Sequence, residues 1–597
     1  MLSKIKPLFP IILFLCFFGF FPSFSFAADF QFDYNVYYSV SQSGSTTIKH
    51  DIIVTNLASN YYTQSFTLIT TSDQIKNITA WDSIGQITPE TEIKNNSVSI
   101  KVNFNEKIVG LNKQMRFFIQ YESSDVATKK GSIWELIIPG IEKDNQISSY
   151  NIFLQVPPNF GQAQHIYPKP NQNNFWSIKE LNQGGINIIY GNRQTYSFNL
   201  IYNLINQTSR SQIQEIALPP DTAYQKVILS RMSIAPLNVT QDDDGNWLAQ
   251  YKLKPKEKLK IVAEGNILVY MEPYNTYTVN LSPNNLIGYT KPLKYWENSP
   301  EISNRAKELI TPRNIYDWVV NNLTYDFNIN TSGSTRNGAL FIMNNPTLAR
   351  CMDFSDLFVA LSRSAGIPSR EIHGYAYTTN SKLQPLSQTS DVLHAWPEYY
   401  DFESKNWIAV DPTWGNTTHG IDYFDKLDFN HVTLAILGKQ SDYPYPAGSF
   451  YTDNASKNVY IELVDKDITI PEPVSKMILN KNTIYNSINK TINLFIYNQG
   501  NIMLYPQKLG IISTLNMQND LEIPPIPPYG FVSIPISVYP KFSLVSDNFD
   551  ININYLNHQV KFNLVIKPFY MIFFPYTLLL FIFVIIFVCL KYGKRKT

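Results

Sequence analysis

The central part of this chain is organised around the stretch TLARCMDFSDLFVALSRSAGIPSR, residues 347–370. After Cys351, apolar side chains recur with helical spacing until Gly366 and Pro368 close the run, so the sequence predicts a helix that starts at the cysteine. The free N–H groups and the positive dipole end at a helix start favour a thiolate. The predicted buried face consists of Phe354, Leu357, Phe358, Leu361 and Ala365.

Cys351 has no nearby cysteine with which to form a disulfide. The other two cysteines, Cys16 and Cys589, lie in apolar segments at the two ends of the chain. A cysteine in an exported protein usually has a disulfide partner, because the compartment is oxidising. An unpaired one is either a reactive thiol or a buried apolar residue, and its position alone leaves both interpretations open.

A histidine and an aspartate follow in a pattern suited to activating a cysteine. In HAWPEYYDFESKNWIAVDPTWG, residues 394–415, His394 begins one strand-like run and Asp411 ends the next. A nucleophilic thiolate needs a base that takes its proton, and that imidazole needs an acceptor that orients it. The turn between the two runs does not fix their register, so the sequence does not establish contact between His394 and Asp411.

These segments resemble the transglutaminase-like superfamily, which shares the core of papain-type cysteine proteases. The matching segments are CMDFSDLFVALSRSAGIPSREIHGY, HAWPEYY and WIAVDPTWG, and the resemblance covers about residues 300–430. It implies an α+β domain in which Cys351 is the nucleophile, His394 the general base and acid, and Asp411 the residue that orients the histidine. It also implies a membrane-anchored prokaryotic multidomain protein.

The sequence departs from the family pattern just before the cysteine. Many relatives have a glycine there, as in G-x-C, whereas this chain has Ala349 and Arg350. This departure leaves open a domain that has the fold without the activity. No motif places the second oxyanion donor, beyond the backbone N–H of Cys351. Trp318 and Tyr325 are candidates that also suit an ordinary core.

Other aromatic and histidine side chains of this region are expected to be structural. Trp396, Trp407 and Trp414 are predicted to pack around the site rather than act in it. His373 and His419 match no motif position, so structural or solvated roles are expected. Catalysis by a thiol and an imidazole needs no metal, and the sequence shows no cluster of ligands, so no cofactor or metal is expected.

Both ends of the chain carry apolar runs. A basic start, an apolar stretch and small residues up to Ala27 predict a signal peptide cleaved there, the alternative being an uncleaved anchor. Residues 569–590 contain no charge and suffice to span a bilayer, and a basic tail follows. The positive-inside rule then predicts a single-pass plasma-membrane protein with an extracytoplasmic N-terminal ectodomain and a cytoplasmic C-terminus.

The formal charge argues against one class of partner. The chain has 49 basic and 48 acidic residues, and without the predicted signal peptide and tail the ectodomain carries about −5. Nucleic-acid binding requires a concentrated basic face, so no nucleic acid is expected. The stretch QDDDGNW, residues 241–247, predicts a hairpin turn, because its spacing does not match a twelve-residue calcium loop.

The expected fold class is multidomain, with β-sandwich modules at both ends of the ectodomain, a central α+β transglutaminase-like (papain-like) domain and one C-terminal transmembrane helix. Short runs rich in β-branched and aromatic residues predict the sandwiches. The predicted divisions are a signal peptide (1–27), a β-sandwich module (28–205), a second β-rich module (206–290), the transglutaminase-like domain (291–445), an immunoglobulin-like sandwich (460–567), a transmembrane helix (568–590) and a cytoplasmic tail (591–597).

Three functions of different classes fit the sequence. The first is a membrane-anchored extracytoplasmic cysteine enzyme that performs acyl transfer or hydrolysis at protein amide bonds. Its partners are a protein or peptide substrate outside the membrane and the lipid bilayer. The second is a catalytically silent fold acting as a surface adhesion or scaffold module. The third is a surface protein whose Cys351 forms an intermolecular disulfide or remains a redox-reactive thiol. No motif separates hydrolysis from cross-linking.

Overall fold

A computed structural model describes most of the chain and divides it into two compact units. The first unit comprises Met1–Thr128, Leu136–Asn159 and Ile166–Ile188, and the second Lys129–Glu135, Phe160–His165 and Ile189–Thr597. The described residues are 29–593 without 61, 71–73, 95–96, 142–143, 182–184, 275–282, 328–335, 379–383, 387–392, 419–421, 425–427, 451–456, 467, 487–490 and 557. The predicted signal peptide, His419 and residues 594–597 of the predicted tail lie outside the described residues.

The chain up to residue 190 is built mainly of strands. Its elements are β1 (Phe30–Val40), β2 (Thr46–Asn56), β3 (Ser65–Ile69), β4 (Ile75–Trp81), β5 (Gln86–Ile87), β6 (Glu90–Lys94), β7 (Ser97–Asn103), β8 (Gln114–Ser123), β9 (Ala127–Lys130), β10 (Ile133–Ile138), β11 (Ile147–Gln155), β12 (Ala163–Tyr167), β13 (Phe175–Ser177), α1 (Ile178–Leu181) and β14 (Ile186–Tyr190).

In the first unit, two sheets face each other. Seven strands form one sheet in the order β13-β11-β1-β2-β8-β4-β5, and three form another in the order β3-β7-β6. Apolar and polar residues alternate along the strands, so that Val36, Tyr38 and Val40 of β1 are buried. Phe66 of β3 packs against Phe117 of β8 with ring centroids 5.1 Å apart, which closes the core between the sheets.

The second unit contains the remaining strands and helices. The strands are β15 (Gln194–Ile205), β16 (Gln212–Leu218), β17 (Gln225–Met232), β18 (Asn238–Gln241), β19 (Trp247–Leu253), β20 (Lys258–Val269), β21 (Ser369–Ala376), β22 (His394–Asp401), β23 (Asn406–Ala409), β24 (His431–Leu437), β25 (Val459–Leu463), β26 (Ser475–Leu479), β27 (Thr483–Tyr485), β28 (Thr491–Asn498), β29 (Gln507–Ser513), β30 (Leu521–Ile523), β31 (Phe531–Ser537), β32 (Asp547–Tyr555) and β33 (His558–Lys567). The helices are α2 (Pro283–Leu286), α3 (Pro300–Leu309), α4 (Pro312–Asn322), α5 (Ala339–Asn344), α6 (Cys351–Ser364), α7 (Pro412–Thr417) and α8 (Phe574–Gly593).

The second unit begins with a sandwich made of the sheets β17-β20-β15-β25 and β16-β19-β18. β15 precedes the predicted module limit at residue 205, whereas its partner β20 follows that limit. β25 returns from beyond the mixed helix–strand region to pair with β15. The predicted hairpin at residues 241–247 is confirmed, because β18 and β19 pair antiparallel around a turn in which Gly245 has a φ of +102°.

The mixed region has a four-stranded antiparallel sheet, β23-β22-β21-β24, with helices packed on it. The predicted helix after Cys351 is α6, and Phe354, Leu357, Phe358 and Leu361 of its predicted face are fully buried. This hydrophobic face fixes α6 against β21 and β22, so packing on the sheet determines the position of Cys351 at the start of the helix.

Side-chain amides from the preceding sandwich cover the outer edge of β24. Asn246 donates from Nδ2 to the carbonyl of Ile436 (2.7 Å) and accepts the N–H of Ile436 on Oδ1 (2.7 Å). Gln225 makes the same pair of bonds with the N–H and C=O of Thr433, at 2.9 and 3.0 Å. These amides take the place of a neighbouring strand and hold the edge of the sheet in register.

A last sandwich and an apolar helix complete the described chain. The sandwich consists of the sheets β26-β28-β31 and β27-β33-β32-β29-β30. α8 follows β33, and none of its stretch Phe574–Lys591 is buried in the protein. By length and composition this stretch can cross a membrane. The prediction of a strand-rich multidomain chain with a mixed central region and an apolar C-terminal helix is confirmed in this form.

Candidate active site

Cys351 is the first residue of α6 and is 4% exposed. Asp353 caps the helix start, because its Oδ2 accepts the backbone N–H of Arg350 at 2.9 Å. The N–H groups of a first helical turn have no acceptor within the helix, so that of Cys351 is available to an oxygen bound beside the thiol.

The departure from the G-x-C pattern has a simple conformational explanation. Arg350 has φ −119° and ψ 177°, and Ala349 has φ −83° and ψ 138°. Both are ordinary extended conformations that need no glycine. Ala349 is further held by a backbone bridge to Tyr325, and its carbonyl accepts the N–H of Asp326 at 2.9 Å. The backbone before Cys351 is therefore unstrained.

His394 and Asp411, which the sequence could not join, are in direct contact. Nε2 of His394 lies 2.8 Å from Oδ2 of Asp411, and both side chains are fully buried. The hairpin of β22 and β23 brings them together, since the N–H of Val410 still donates to the carbonyl of Pro397 (3.1 Å) beyond the last paired strand residues. Asp411 is also the N-cap of α7, and its Oδ1 accepts the N–H groups of Thr413 and Trp414 at 2.9 and 3.0 Å.

Cys351 and His394 line one cavity of about 270 Å³. The Nδ1 of His394 is buried and has no hydrogen-bond partner among the described residues. Cys351 acts on the same ring and raises its pKa. The remaining lining is largely apolar and aromatic: Tyr295, Met352, Leu393, Ala395, Leu437, Pro444, Tyr445 and Pro446, together with Arg336, His373, Asp442 and Ser449.

Electrostatic interactions around His394 favour its charged form. Burial alone would lower its pKa, but the charge and hydrogen bond of Asp411, and then Cys351, outweigh burial and raise it to about 9. The pKa of Asp411 is correspondingly held well below its usual range, since its two histidine partners outweigh the effect of burial. The carboxylate is therefore a permanent anion at neutral pH, and it orients the ring of His394 and stabilises its imidazolium form.

The structure adds two residues that the sequence did not single out. Nε2 of His431 lies 3.2 Å from the same Oδ2 of Asp411, and its Nδ1 lies 2.9 Å from Oδ1 of Asp428. We name the series Asp428, His431, Asp411 and His394 the histidine chain. The signal in the sequence is DFNHV, residues 428–432, in which an aspartate precedes by three residues a histidine that opens an apolar strand.

Two predicted aromatic neighbours pack around the imidazole, and the third does not. The rings of Trp414 and Trp396 stack near His394 with centroid distances of 5.2 and 5.9 Å. Trp407 instead packs on the guanidinium of Arg370, whose carbon lies 4.2 Å from the ring centroid. Trp396 and Trp414 thereby shield the histidine from solvent, which strengthens its interaction with Asp411.

The two candidate oxyanion donors lie in different settings. Trp318 is half-buried in the helical core, and the guanidinium carbon of Arg305 lies 5.1 Å from its ring centroid. Tyr325 is closer to the site: burial and then Cys351 raise the pKa of its hydroxyl. His373, expected to be structural, lines the cavity and its Nε2 lies 3.0 Å from Oε1 of Glu371.

A second group of buried charges borders the cavity; we name Arg336, Asp356 and Glu371 the arginine cluster. Nε of Arg336 donates to Asp356 (2.9 Å), and its Nη2 contacts both Asp356 and Glu371. Trp296 donates from Nε1 to Asp356 at 2.8 Å. The guanidinium is thus engaged by two carboxylates and presents little free charge to the cavity.

Within the described residues, His394, Asp411 and His431 are the group whose ligand atoms, within 4.8 Å of one another, could hold a metal ion. Both Nε2 atoms point at the same oxygen of Asp411 at hydrogen-bonding distance, and the other oxygen accepts two backbone N–H groups. Each ligand atom is therefore already used in a hydrogen bond, so the site fits a proton-holding network better than a metal centre.

Comparison with known proteins identifies the class of this domain. Residues 299–412 match the family model of the transglutaminase-like superfamily, so the central part of the chain is a transglutaminase-like domain, as the sequence motifs predicted. The match contains Cys351, His394 and Asp411.

Individual proteins resemble this chain either over a short segment or at low sequence identity. The uncharacterised protein YebA of Bacillus subtilis is 36% identical over 74 residues, which is 11% of this chain and 10% of that protein. A protein of Cytophaga hutchinsonii described as a candidate cysteine protease is 19% identical, with a TM-score of 0.32, over 47% of this chain and 93% of that one. Red sea bream transglutaminase is 9% identical, with a TM-score of 0.18, over 62% of this chain and 80% of that one.

Proposed function

We propose that this chain is a membrane-anchored extracytoplasmic cysteine enzyme that performs acyl transfer or hydrolysis at amide bonds of proteins. The observation that carries the proposal is the contact of His394 with Asp411 at 2.8 Å, with the other imidazole nitrogen left to the cavity that Cys351 lines. This arrangement supplies a nucleophile, a base and an orienting carboxylate in the order that thiol catalysis requires.

The first half of the reaction forms a thioester. Nδ1 of His394 takes the proton of the Cys351 thiol, and the sulfur attacks the carbonyl carbon of the amide. The resulting oxyanion lies near the helix start, where the N–H of Cys351 can donate to it. The C–N bond then breaks, the amine leaves with the proton held by His394, and the acyl group stays on sulfur.

The second half returns the enzyme to its starting state. A water molecule or a primary amine loses a proton to Nδ1 of His394 and attacks the thioester carbon. The C–S bond breaks and the sulfur regains its proton from the imidazolium. Water gives a carboxylic acid, whereas an amine gives a new amide and therefore a cross-link. Asp411 remains an anion throughout and stabilises the imidazolium in both halves.

The alkylation of Cys351 as a function of pH tests the assembled site. A free cysteine thiol titrates near pH 8.5. We expect wild-type protein to react with iodoacetamide well below pH 7, and His394→Ala to lose this low-pH reactivity. Cys351→Ser provides the background from the other cysteines. If wild-type and His394→Ala both titrate like a free thiol, the enzyme proposal fails and a silent scaffold module is favoured.

The proposed location follows from α8. We expect α8 to span the plasma membrane, with the folded units outside and Lys591 at the cytoplasmic face. A membrane-impermeant maleimide applied to intact cells should leave Cys589 unlabelled, and permeabilisation should expose it, in a Cys351→Ser background. An exposed cysteine substituted for Ser404, in the turn between β22 and β23, should be labelled in intact cells. Labelling of Cys589 without permeabilisation would reverse the orientation.

A further inference from the structure

The last sandwich exposes a short run of large apolar side chains. Phe542, Leu544 and Val545 precede β32 and are 69%, 65% and 66% exposed. We name residues 542–545 the apolar loop. A soluble surface rarely presents several such side chains side by side, so the run marks a surface that meets an apolar partner.

The structure fixes the apolar loop beside the start of α8. The hydroxyl of Tyr570 donates to the carbonyl of Leu544 at 2.9 Å, and Oγ of Ser546 lies 3.9 Å from the sulfur of Met571. β32 starts at Asp547 directly opposite Ile566 of β33, the strand that leads into the helix. The loop is therefore held at the end of the sandwich from which α8 emerges.

The residues between β33 and α8 extend the same apolar surface. Phe569, Tyr570 and Phe573 are 42%, 44% and 54% exposed. Lys541 flanks the apolar loop on one side and is exposed. Aromatic side chains with a neighbouring lysine are the composition of a membrane–water interface.

We propose that the apolar loop inserts into the interfacial layer of the bilayer that α8 spans, so that the last sandwich docks on the membrane surface. The inference rests on the proposed membrane anchor and is independent of the chemistry of Cys351. The lipid bilayer is favoured over a protein partner because the loop is continuous with the helix junction through the bond from Tyr570 to Leu544. Insertion by about 5–10 Å suits side chains at the headgroup–acyl boundary.

Site-directed fluorescence in the full chain tests the proposal. The three native cysteines are replaced by serine, and a single cysteine is introduced as Phe542→Cys, Ile582→Cys or Ile512→Cys and labelled with an environment-sensitive dye. Ile582 lies in α8, and Ile512 lies on β29 of the same sandwich and is 59% exposed. Each protein is reconstituted in phosphatidylcholine–phosphatidylglycerol vesicles that contain lipids with a quencher at a shallow or a deep acyl position.

The expected result is shallow quenching at position 542, deep quenching at 582 and none at 512. Quenching at 582 without quenching at 542 overturns the inference but keeps the anchor. Absence of quenching at both overturns the anchor as well. A 542 probe that changes only when a second, unlabelled copy is added assigns the loop to self-association and also overturns the inference. The double variant Phe542→Ser/Leu544→Ser should leave the deep quenching of the probe at position 582 unchanged. This result would show that the substitutions abolish insertion of the loop without unfolding or displacing the anchor.

A separate observation, the histidine chain, carries a second inference that rests on the proposed function. Both nitrogens of His431 face carboxylate oxygens, at 3.2 Å for Asp411 and 2.9 Å for Asp428. Carboxylates only accept hydrogen bonds, so a ring between two of them donates from both nitrogens and is an imidazolium. Its pKa is raised to about 9, because Asp428 and Asp411 together outweigh burial.

A cation on His431 weakens the stabilisation that Asp411 gives to the protonated form of His394. The two imidazoles share one carboxylate oxygen, and their ring centroids are 5.6 Å apart. Glu398 also lines the small cavity next to His431, but it is paired with Arg370 at 2.6 Å. Asp428 contacts the ring nitrogen of His431 that does not face Asp411, so its charge offsets that of His431 only in part. The net effect on His394 is that of a nearby positive charge attached to its own acceptor.

We infer that His431 and Asp428 are positioning residues that fix the carboxylate of Asp411 and weaken its hold on the proton of His394. A proton held less tightly on His394 is released more readily to the leaving amine, which is the step that requires an acid. The inference assigns no contact with substrate to either residue.

Substitutions at His431 separate the charge from the hydrogen bond. His431→Gln keeps an N–H for Asp411 but removes the charge, and His431→Phe removes both. The measurement is the rate at which iodoacetamide alkylates Cys351 as a function of pH. We expect two steps in this profile: the lower one reports ionisation of the thiol, and the upper one reports loss of the proton from His394. Removing a unit charge 5.6 Å away should raise the upper step in His431→Gln by up to about 2 pH units.

The controls distinguish this inference from the enzyme proposal. His50→Gln removes a buried histidine of β2 that contacts Tyr121 and should leave both steps in place. If the wild-type profile shows a paired thiol but His431→Gln keeps the wild-type upper step with an unchanged melting temperature, the inference is wrong. If the wild-type thiol titrates as a free one, the enzyme proposal has failed instead.

Discussion

The arginine cluster and the histidine chain border the same domain's cavity, yet they use their polar atoms differently. In the arginine cluster no buried side-chain N or O atom lacks a partner within the described part of the chain, and Trp296 and Ser441 supply further bonds to it. In the histidine chain, one atom, Nδ1 of His394, is buried without a hydrogen-bond partner among the described residues.

This difference separates a structural role from a chemical one. A buried charged group whose polar atoms are all hydrogen-bonded has no free donor or acceptor for a substrate. Removal of one partner leaves the other charges buried and uncompensated. A buried ring that keeps one nitrogen free is held in place by its other contacts and can still exchange a proton. The same density of charge therefore predicts stability at one cluster and reactivity at the other.

The largest expected effect comes from breaking the arginine cluster. Arg336→Met leaves Asp356 and Glu371 buried without their cation, and should cost about 3–5 kcal/mol of the unfolding free energy of the mixed domain. Thermal unfolding followed by tryptophan fluorescence measures this loss. Arg313→Met is the matched control, since Arg313 is 46% exposed and pairs with Asp317 at the surface, where such pairs contribute about 1 kcal/mol or less. Equal effects of the two substitutions would contradict the assignment.

The histidine chain should make stability depend on pH. The pKa values of His394 and His431 are raised to about 9 from an ordinary value of 6.5, so folding favours their protonated forms. Their contribution is complete below about pH 6.5 and is lost as the pH rises through about 9. A shift of this size is worth about 3 kcal/mol for one histidine, and less than twice that for two that share Asp411.

Denaturant unfolding at pH 6.5 and at pH 9.5 measures that loss. His431→Gln should flatten the dependence, because it removes one of the two protons taken up on folding. The carboxylate of Asp411 acts in the opposite direction: with its pKa depressed, its contribution is present above about pH 4 and disappears on acidification. Stability that increased from pH 6.5 to pH 9.5 would contradict the charges assigned to the chain.

The sequence predicts local features of the site well because they depend on neighbours in the chain. The helix at Cys351 follows from the 3.6-residue period of its apolar residues, which predicts it without knowledge of long-range contacts. The contact between His394 and Asp411 depends on the register of a hairpin, and a one-residue slip would turn one side chain to the other face. That register is set by packing, so the family motif predicts the pair, whereas the spacing of the two residues does not.

The role of His431 could not be read from the sequence for a related reason. β24 pairs with β21, and the histidine at its first position reaches Asp411 only because the strand occupies one edge of the sheet. Amides of Asn246 and Gln225, about 190 to 210 residues earlier, cover that edge. Long-range contacts of this kind leave no periodic signal. The extended backbone at Ala349, where relatives have glycine, is similar, since only its φ value shows that no glycine is required.

The smallest expected effect comes from a substitution that uncovers the edge of β24. It tests whether this edge influences the titration of the histidine chain. Asn246→Ala removes two bonds to the backbone of Ile436 and leaves a buried N–H and C=O unpaired, which should cost about 1–3 kcal/mol. Gln250→Ala, on the strand that follows Asn246 and bonded to the half-buried Glu215, is the control and should cost less. Because β24 also carries His431, Asn246→Ala should bring the upper step of the alkylation profile closer to that of His431→Gln. A loss of stability with an unchanged profile would show that the edge supports the fold without tuning the histidine chain.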